Sequence, residues 1–290
     1  MKTIIDCIGN TPIVEIQHLN PYPNVNIYAK LEGNNPGGSV KDRAALNMIQ
    51  SAMERGDIKK GTKLIEATSG NTGIALAMIA GYYDLDIELV MPANSTRERT
   101  LTMEALGAQV TLLESIEDCR DYAEQKGADT GYFLVDQFSN EDNYKSHYKS
   151  TGPEIWRDTD GKITHFVSSM GTTGSIMGCS MFLKEQNPNV QIIGCQPTEE
   201  SSIPGIRRWP EAYLPKIYDP KRVDRIMDVS QEEATDKARQ LAKKEGIFVG
   251  MSSGGAFAAA LKLASEVENA NIVFIACDRG DRYLSSDLFG

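Results

Sequence analysis

Short apolar runs alternate with helical apolar patterns along most of this chain, and this alternation is the feature that most restricts its fold. Segments 63–67 and 87–91 have the length and composition of strands, and segment 74–79 has the apolar content of a buried helix. Strands that are separated by helices pair in parallel, because a parallel pair needs a long crossover connection. The sequence therefore predicts an α/β protein with mostly parallel sheets and helices on both faces.

The same patterns place further elements in both halves of the chain. The predicted strands are 63–67, 87–91, 109–113, 132–135, 164–170, 190–196 and 272–276. The predicted helices are 41–55, 74–79, 97–106, 176–183, 231–244 and 256–264. Segment 197–225 is rich in proline and has no period, so it is predicted to be a long loop of the kind that is often functional. In parallel α/β folds, ligands bind in the loops between strands and helices.

Composition limits the possible functions. The chain has 290 residues and a formal charge of −10, which makes it a poor candidate for nucleic acid or anionic membranes. No apolar run approaches a membrane span, and the first ten residues lack the apolar core of a signal peptide. The five cysteines form no Cys-x-x-Cys pair, which argues against zinc, and their odd number suits a reducing compartment. The expected location is the cytoplasm, and no metal site is predicted.

A lysine stands at the end of a tight polar loop in segment 34–43, Asn-Asn-Pro-Gly-Gly-Ser-Val-Lys-Asp-Arg. The residues that follow have a 3.6-residue apolar period as far as Gly56, so Lys41 is predicted to begin a helix. The helix dipole disfavours a further positive charge there and biases the amine toward its neutral form, which a Schiff-base lysine requires. Most lysines at helix starts are solvated surface residues, but the shaped loop favours a catalytic role here.

Two strand-to-helix loops have the composition of anion-binding sites. Segment 68–73, Thr-Ser-Gly-Asn-Thr-Gly, offers hydroxyls and backbone N–H groups that suit a carboxylate, although one such residue can serve merely as an N-cap. Segment 168–175, Ser-Ser-Met-Gly-Thr-Thr-Gly-Ser, suits a phosphate. It is neither a Walker loop nor a dinucleotide fingerprint, because it lacks the lysine of the first and the glycine spacing of the second. Segments 250–255 and 277–283 are weaker signals.

A lysine in a loop, a loop that suits a carboxylate and a loop that suits a phosphate together fit pyridoxal phosphate and an amino-acid substrate. Over essentially its whole length the chain resembles the fold-type II pyridoxal-phosphate enzymes, and among them the cysteine synthases (O-acetylserine sulfhydrylases). The segments that carry the resemblance are 8–12, 30–43, 66–73 and 171–175. Segments 201–209 and 277–283 are more similar to B-type than to A-type cysteine synthases.

The resemblance implies an architecture and an assembly. It implies two α/β domains, each with a mostly parallel twisted sheet, as in the β subunit of tryptophan synthase. Residues 35–145 would form a smaller, mobile domain, and residues 1–34 with 146–290 a larger one, with the active site in the cleft between them. It also implies a homodimer, and its B-type features argue against a complex with serine acetyltransferase.

The resemblance further implies a role for each candidate site residue. Lys41 would bind the cofactor aldehyde and then remove the Cα proton of the substrate, and Asn71 would hydrogen-bond the 3′-oxygen of the cofactor. The cofactor phosphate would be held by Gly171, Thr172, Thr173, Gly174 and Ser175. The substrate carboxylate would be held by Thr68, Ser69, Gly70, Thr72 and Gln137.

Two residues, Ser252 and Cys277, fall near the pyridine nitrogen in this resemblance, and the sequence leaves open which one contacts it. Neither is a carboxylate, so the ring would be a weaker electron sink than one paired with an aspartate. This environment favours β-elimination over racemisation and transamination.

The implied activity is that of a transferase in cysteine biosynthesis, which makes L-cysteine from O-acetyl-L-serine and sulfide. The B-type features imply that thiosulfate can replace sulfide and give S-sulfocysteine. Arg207 and Arg208 are predicted to admit or bind that dianion, because guanidinium groups pair well with oxyanions.

Several alternatives stay open from the sequence. They are a serine or threonine dehydratase on the same fold, a cysteine synthase that uses O-phosphoserine, and a catalytically silent binding protein. A serine hydrolase that uses the Ser-x-x-Lys motif at 146–149 is disfavoured, because its partner motifs are absent.

Overall fold

The computed structural model describes residues 1–68, 70–129 and 131–289. The strands are β1 (Ile13–Glu15), β2 (Val25–Leu31), β3 (Lys63–Ala67), β4 (Ile87–Pro92), β5 (Gln109–Leu113), β6 (Tyr132–Leu134), β7 (His165–Ser169), β8 (Gln191–Pro197), β9 (Arg225–Val229) and β10 (Ala270–Ala276). The α-helices are α1 (Lys41–Arg55), α2 (Asn71–Tyr82), α3 (Arg97–Ala105), α4 (Ile116–Gly127), α5 (Glu141–Lys149), α6 (Thr151–Asp158), α7 (Gly174–Gln186), α8 (Gln231–Gln240) and α9 (Met251–Ala264). Short 3-10 turns lie at Ile5–Cys7, Glu32–Asn34, Glu211–Tyr213, Pro220–Arg222 and Gly280–Tyr283, and a π-helix at Leu241–Glu245.

The strands form two sheets. A six-stranded sheet has the order β1-β2-β10-β7-β8-β9, in which only β1 runs antiparallel to its neighbour. A four-stranded sheet has the order β5-β4-β3-β6 and is parallel throughout. The predicted α/β class with mostly parallel sheets is therefore confirmed.

Both sheets are covered on both faces, as parallel sheets usually are. Along β10, Ile272 and Phe274 pack in the cluster that contains α9, whereas Val273 and Ile275 pack in the cluster that contains α7. In the smaller sheet, Leu64 packs with α1 and α2, and its neighbour Ile65 packs with α4. This alternation follows from the two-residue period of strands.

Strands β3, β4 and β5 and helices α1, α2, α3, α7 and α9 lie where the apolar patterns predict them, to within a few residues. The predicted loop 197–225 holds only short 3-10 turns between β8 and β9. Helices α4, α5 and α6 and strands β1, β2 and β9 are not predicted by those patterns. The predicted helix 231–244 ends as an α-helix at Gln240 and continues as a π-helix.

A buried ion cluster joins α1 to the six-stranded sheet. The Arg43 guanidinium donates to Glu32 at 2.7 and 2.8 Å and to Glu154 of α6 at 2.7 Å through two nitrogens. Lys30 of β2 pairs with Glu154 at 2.8 Å, and the Thr11 hydroxyl donates to Glu32 at 2.6 Å. Burial opposes ionisation of Glu154, but Arg43 and Lys30 outweigh it and lower its pKa to about 2. The cluster therefore stays charged at neutral pH and ties three elements together.

Within the described ranges, no helix is both long and apolar enough to cross a lipid bilayer.

We expect Arg43→Met to lower the free energy of unfolding by about 3–5 kcal/mol, because it leaves buried carboxylates without their cation. Equilibrium denaturation in urea measures this loss. The matched control is Arg225→Met, which breaks the exposed pair between Arg225 and Glu266 and should leave the urea midpoint nearly unchanged. Equal midpoints for Arg43→Met and the wild type would contradict the structural role of the cluster.

Candidate active site

A cavity lies at the carboxyl ends of both sheets, among the loops that follow β2, β3, β6, β7, β8 and β10. This is where the alternation of strands and helices predicts a ligand site. The predicted site residues that line it are Lys41, Thr68, Gly70, Asn71, Thr72, Gln137, Gly171, Thr172 and Arg207.

Lys41 is the first residue of α1, and Gly56 ends that helix with a left-handed backbone (φ 79°), as the sequence predicts. Its side chain is half-buried, and its ammonium has no hydrogen bond or ion pair within the described part of the chain. Burial lowers the pKa of Lys41, while the nearby Cys277 and Asp278 act in the opposite direction. Loss of hydration therefore lowers the pKa of Lys41, which makes the amine a better nucleophile.

The loop after β3 is closed on itself by Thr68. The Thr68 hydroxyl oxygen accepts hydrogen bonds from the backbone N–H groups of Gly70 (3.2 Å) and Gly73 (3.1 Å). Among the residues that the structure describes, the Thr68 hydroxyl only accepts, so its own hydrogen is available to a ligand in the cavity. Ser69, which the sequence also assigns to the carboxylate site, lies outside the described residues.

Gln137 stands opposite that loop at the end of β6 and is linked to it. Its Oε1 accepts a hydrogen bond from the Thr72 hydroxyl at 2.7 Å. Its Nε2 donates to Glu66 Oε1 at 3.1 Å and to the main-chain oxygen of Ala67 at 3.0 Å. The structure therefore brings Thr72 and Gln137 together, and it adds Glu66, which the sequence analysis missed.

The glycine-rich loop after β7 leads into the N-terminus of α7. Gly171 and Thr172 line the cavity, and Thr173 has a left-handed backbone (φ 70°) immediately before the helix. The Thr173 hydroxyl is buried and has no hydrogen-bond partner among the residues that the structure describes. A Cβ at Gly174 would overlap the side-chain oxygen of Asn143, so only glycine fits there. This geometry is that of an anion site at a helix N-terminus.

Two side chains of α5, which the sequence analysis missed, hold this loop from behind. Asn143 donates to the Thr172 hydroxyl oxygen at 3.1 Å, and His147 Nε2 lies 3.4 Å from the Ser175 hydroxyl. Burial lowers the pKa of His147 to about 3, so its ring is neutral. Asn143 and His147 are four residues apart and therefore share one face of the helix, a spacing that is visible in the sequence only once α5 is recognised.

Asn71 is the first residue of α2, and its side-chain amide bonds to one acidic and one basic residue. Its Nδ2 donates to Asp278 at 2.7 Å, and its Oδ1 accepts from Arg282. The Tyr283 hydroxyl donates to the same Asp278 oxygen at 2.6 Å. One Nδ2 hydrogen of Asn71 is thus left for a ligand, and segment 277–283 fixes the orientation of the amide.

Ser252 and Cys277 are brought together beside Lys41, although neither lines the cavity. Burial raises the pKa of the Cys277 thiol to about 12, and the Lys41 ammonium and the Ser252 hydroxyl only partly offset this. Both side chains are therefore neutral at physiological pH.

The structure separates the two adjacent arginines. Arg207 lines the cavity, is half-buried, and forms no ion pair within the described residues. Arg208 lies away from the cavity, because its guanidinium pairs with Asp228 at 2.6 Å and donates to the main-chain oxygen of Pro197 at 3.0 Å. The prediction that Arg208 contacts the substrate is therefore not supported by its position, whereas Arg207 is free to meet an anion.

The remaining wall includes aromatic and cationic residues that the sequence analysis did not assign to the site. Trp209 donates from its indole nitrogen to the Gly171 carbonyl at 2.7 Å and packs edge-on against Phe138. Arg99 of α3 lies over the Tyr283 ring at 5.1 Å. Trp209 stands next to the two arginines in the long loop, and this position is the sequence signal that could have identified it.

The Ser-x-x-Lys motif at 146–149 does not form a nucleophilic site. Ser146 is buried and donates to the main-chain oxygen of Asn143 at 2.6 Å, whereas Lys149 lies near Asn47 at the surface. Among the residues that the structure describes, no cluster of His, Cys, Asp and Glu could hold a metal ion.

The residues of the cavity fit pyridoxal phosphate. Among the described residues, the Lys41 amine has no hydrogen-bond partner and can meet the aldehyde, and the Thr173 hydroxyl at the start of α7 is a buried donor without an acceptor. A phosphate would supply that acceptor, and the free Nδ2 hydrogen of Asn71 would suit a ring oxygen.

Comparison with known proteins places the chain in one family. Residues 4–278 match the family of pyridoxal-phosphate dependent enzymes. The chain is 59% identical to cysteine synthase B of Pseudomonas aeruginosa over 99% of this chain and 97% of that protein, and 54% identical to cysteine synthase B of Escherichia coli over 100% and 97%. The crystal structure of a cysteine synthase from Entamoeba histolytica superposes with a TM-score of 0.94 at 36% identity, covering 100% of this chain and 90% of that one. The chain therefore belongs to the cysteine synthases of the pyridoxal-phosphate dependent enzyme family.

Proposed function

We propose that this protein makes L-cysteine from O-acetyl-L-serine and sulfide. One observation carries the proposal: the unpaired, half-buried amine of Lys41 opens on a cavity whose walls are the two donor-rich loops at the starts of α2 and α7. The relatives named cysteine synthase support the choice of substrate. In this reaction the substrate loses its Cα proton and acetate, hydrosulfide then adds at Cβ, and a proton returns to Cα to give L-cysteine.

The residues of the cavity divide the work between binding and proton transfer. Bound there, pyridoxal phosphate supplies an aldehyde that joins an amine and a ring that stabilises negative charge at Cα. Lys41 holds or removes the Cα proton, since its pKa is lowered by burial. Gly171, Thr172, Thr173, Gly174 and Ser175 bind the phosphate, and Thr68, Gly70, Thr72 and Gln137 bind the substrate carboxylate. Ser252 and Cys277 are neutral, so no carboxylate stabilises a charged ring nitrogen.

The position of Arg207 supports thiosulfate as a second sulfur donor. Its guanidinium lies in the cavity wall without a carboxylate partner among the described residues, and burial lowers its pKa without removing its charge. A dianion that reaches the cavity would gain a charge-assisted hydrogen bond there.

We also propose the domain arrangement and the homodimer that the resemblance implies. Residues 35–145 contain the whole four-stranded sheet and would move as the smaller domain against residues 1–34 and 146–290, although the boundary at 145 falls inside α5. The protein would act as a homodimer in the cytoplasm, without a serine acetyltransferase partner. Analytical ultracentrifugation of the purified protein tests the dimer.

The first experiment is a visible absorption spectrum of the purified holoenzyme, recorded before and after O-acetylserine is added. The proposal expects a yellow protein whose band shifts with O-acetylserine and returns when sulfide is added, with L-cysteine as the product. Pyruvate without L-cysteine would indicate a dehydratase. A spectral response to O-phosphoserine but not to O-acetylserine would identify O-phosphoserine as the substrate. A colourless protein that cannot be reconstituted with pyridoxal phosphate would contradict the proposal.

We expect Lys41→Ala to lower cysteine synthesis by at least about a thousandfold, because both the covalent anchor and the base are lost. The absorption band of the bound cofactor should change as well, which separates this effect from unfolding. Lys60→Ala, at an exposed lysine, is the control and should retain full activity. Comparable turnover by Lys41→Ala and Lys60→Ala would remove Lys41 from the mechanism.

We expect Arg207→Ala to raise KM for thiosulfate by about tenfold or more and to leave sulfide-dependent synthesis nearly unchanged, because one charge-assisted hydrogen bond to a dianion contributes about 1.5–3 kcal/mol. Arg208→Ala is the matched control and should leave both donors unaffected, since Arg208 pairs with Asp228. Steady-state kinetics with each donor measure the effects. Equal losses in the two variants, or none in either, would contradict the assignment of Arg207.

A further inference from the structure

Glu66 lies just behind the cavity wall and has the surroundings of an unpaired buried acid. It is 1% exposed in β3, and the next two residues, Ala67 and Thr68, line the cavity. Its Oε1 accepts a hydrogen bond from Gln137, while its Oε2 is buried without a partner among the described residues. Within the described residues, no lysine or arginine forms an ion pair with the Glu66 carboxylate. The side-chain amide of Gln137 and the backbone N–H groups of Asp136 and Gln137 favour the ionised form of Glu66, but burial outweighs them, so the carboxylate is costly to bury.

Gln137 lines the cavity, yet both of its amide hydrogens are already in use. One is donated to Glu66 Oε1 at 3.1 Å and the other to the Ala67 carbonyl at 3.0 Å. The orientation of the amide follows from chemistry, because the Ala67 carbonyl can only accept and the Thr72 hydroxyl donates to the opposite side. To donate to a substrate carboxylate, Gln137 must therefore release Glu66 or Ala67.

The two acceptors differ in their response to losing this bond. A main-chain carbonyl cannot be neutralised, so an unpaired Ala67 oxygen would keep its full desolvation penalty. The Glu66 carboxylate can instead take up a proton, which removes its charge and lowers the cost of burial. Release of Glu66 is therefore the easier route for Gln137, provided that a proton is available.

We propose that Glu66 is a proton-linked positioning residue: as a carboxylate it withholds the Gln137 amide from the cavity, and on protonation it releases that amide to the carboxylate of the substrate. One proton passes from solvent to Glu66, and one N–H···O hydrogen bond passes from Glu66 to the ligand. The inference rests on the proposed function only in assigning a carboxylate ligand to this cavity.

The charges around Glu66 support such an exchange near physiological pH. Burial, and then the Asp136 carboxylate in the connection from β6 to α5, raise the pKa of Glu66 to about 8. Helix α2 carries no charged residue, and β4 places Leu89 opposite Glu66 in the sheet. Lys63 and Glu88 pair with each other at 3.5 Å on the other face, where helix α4 packs. Both protonation states of Glu66 are therefore accessible around pH 8.

The test is the binding of L-alanine to the holoenzyme, since L-alanine has the carboxylate and the amine but no leaving group at Cβ. Isothermal titration calorimetry in buffers of different ionisation enthalpy gives both the affinity and the number of protons taken up. The wild type is compared with Glu66→Gln, which is permanently neutral, and with Glu88→Gln, a matched control at another buried glutamate in the adjacent strand.

Above pH 8, we expect the wild type to take up about one more proton per bound L-alanine than Glu66→Gln. Its affinity relative to that variant should fall by about tenfold per pH unit above pH 8 and be nearly constant below it, because only the ionised acid must be protonated. Glu88→Gln should follow the wild type. Equal proton uptake and parallel pH profiles for the wild type and Glu66→Gln would overturn the proposal.

A second measurement needs no variant and covers the case in which Glu66→Gln does not fold. Infrared difference spectra of the wild type at pH 8.5 should show a carboxylate band replaced by a carboxylic-acid band when L-alanine binds, and unchanged carboxyl bands would overturn the proposal. The role of Glu66 and the proposed reaction can fail separately. A holoenzyme that makes cysteine without this proton uptake overturns only the role of Glu66, and one that shows the uptake without making cysteine overturns only the proposed reaction.

Discussion

The position of Lys41 depends on the Arg43 guanidinium, which two buried carboxylates share. Glu32 follows β2 and Glu154 lies in α6, so the pairing fixes the start of α1 against the larger sheet. Lys41 is only two residues away on the same helix turn. The loop before it is held as well, because Asp42 accepts a hydrogen bond from the Gly37 N–H at 2.5 Å. These buried charges hold the start of α1 in one position, at the cost of removing the charged groups from water.

Parallel sheets explain why so many donors meet at one place. Every parallel strand in a sheet ends at the same edge, and the following helix starts there with its free N–H groups. In this fold the two sheets bring the starts of α1, α2 and α7 to a common cavity. Each of these helix N-termini presents a different functional group: an amine at α1, an amide and hydroxyls at α2, and a buried hydroxyl at α7. Anionic groups of a cofactor and of an amino acid can therefore bind to the N–H and hydroxyl donors at these helix starts.

The sequence predicts an element well where one apolar pattern dominates it. Strands β3 and β4 are almost wholly buried, and α2 and α9 are apolar on nearly every side, so all four stand out. Helix α4 buries only Cys119 and Ala123, and most of its residues are polar, so no apolar run marks it in the sequence. Strand β2 contains Lys30, which is buried only because it pairs with Glu154 across the fold. Elements whose burial depends on distant ionic partners cannot be predicted from local periodicity.

The sequence by itself determined the α/β class, the lysine at the start of a helix and the loops that suit a carboxylate and a phosphate, because each of these depends on residues close together in the chain. Only the tertiary structure decided which neighbouring side chains enter the site. Arg207 and Arg208 are adjacent and chemically identical, yet one faces the cavity and the other faces Asp228. Glu66 likewise gained its unusual environment from Gln137 and Asp136, about seventy residues away. Hydration, charge pairing and pKa depend on distances across space, and the chain sets those distances only when it folds.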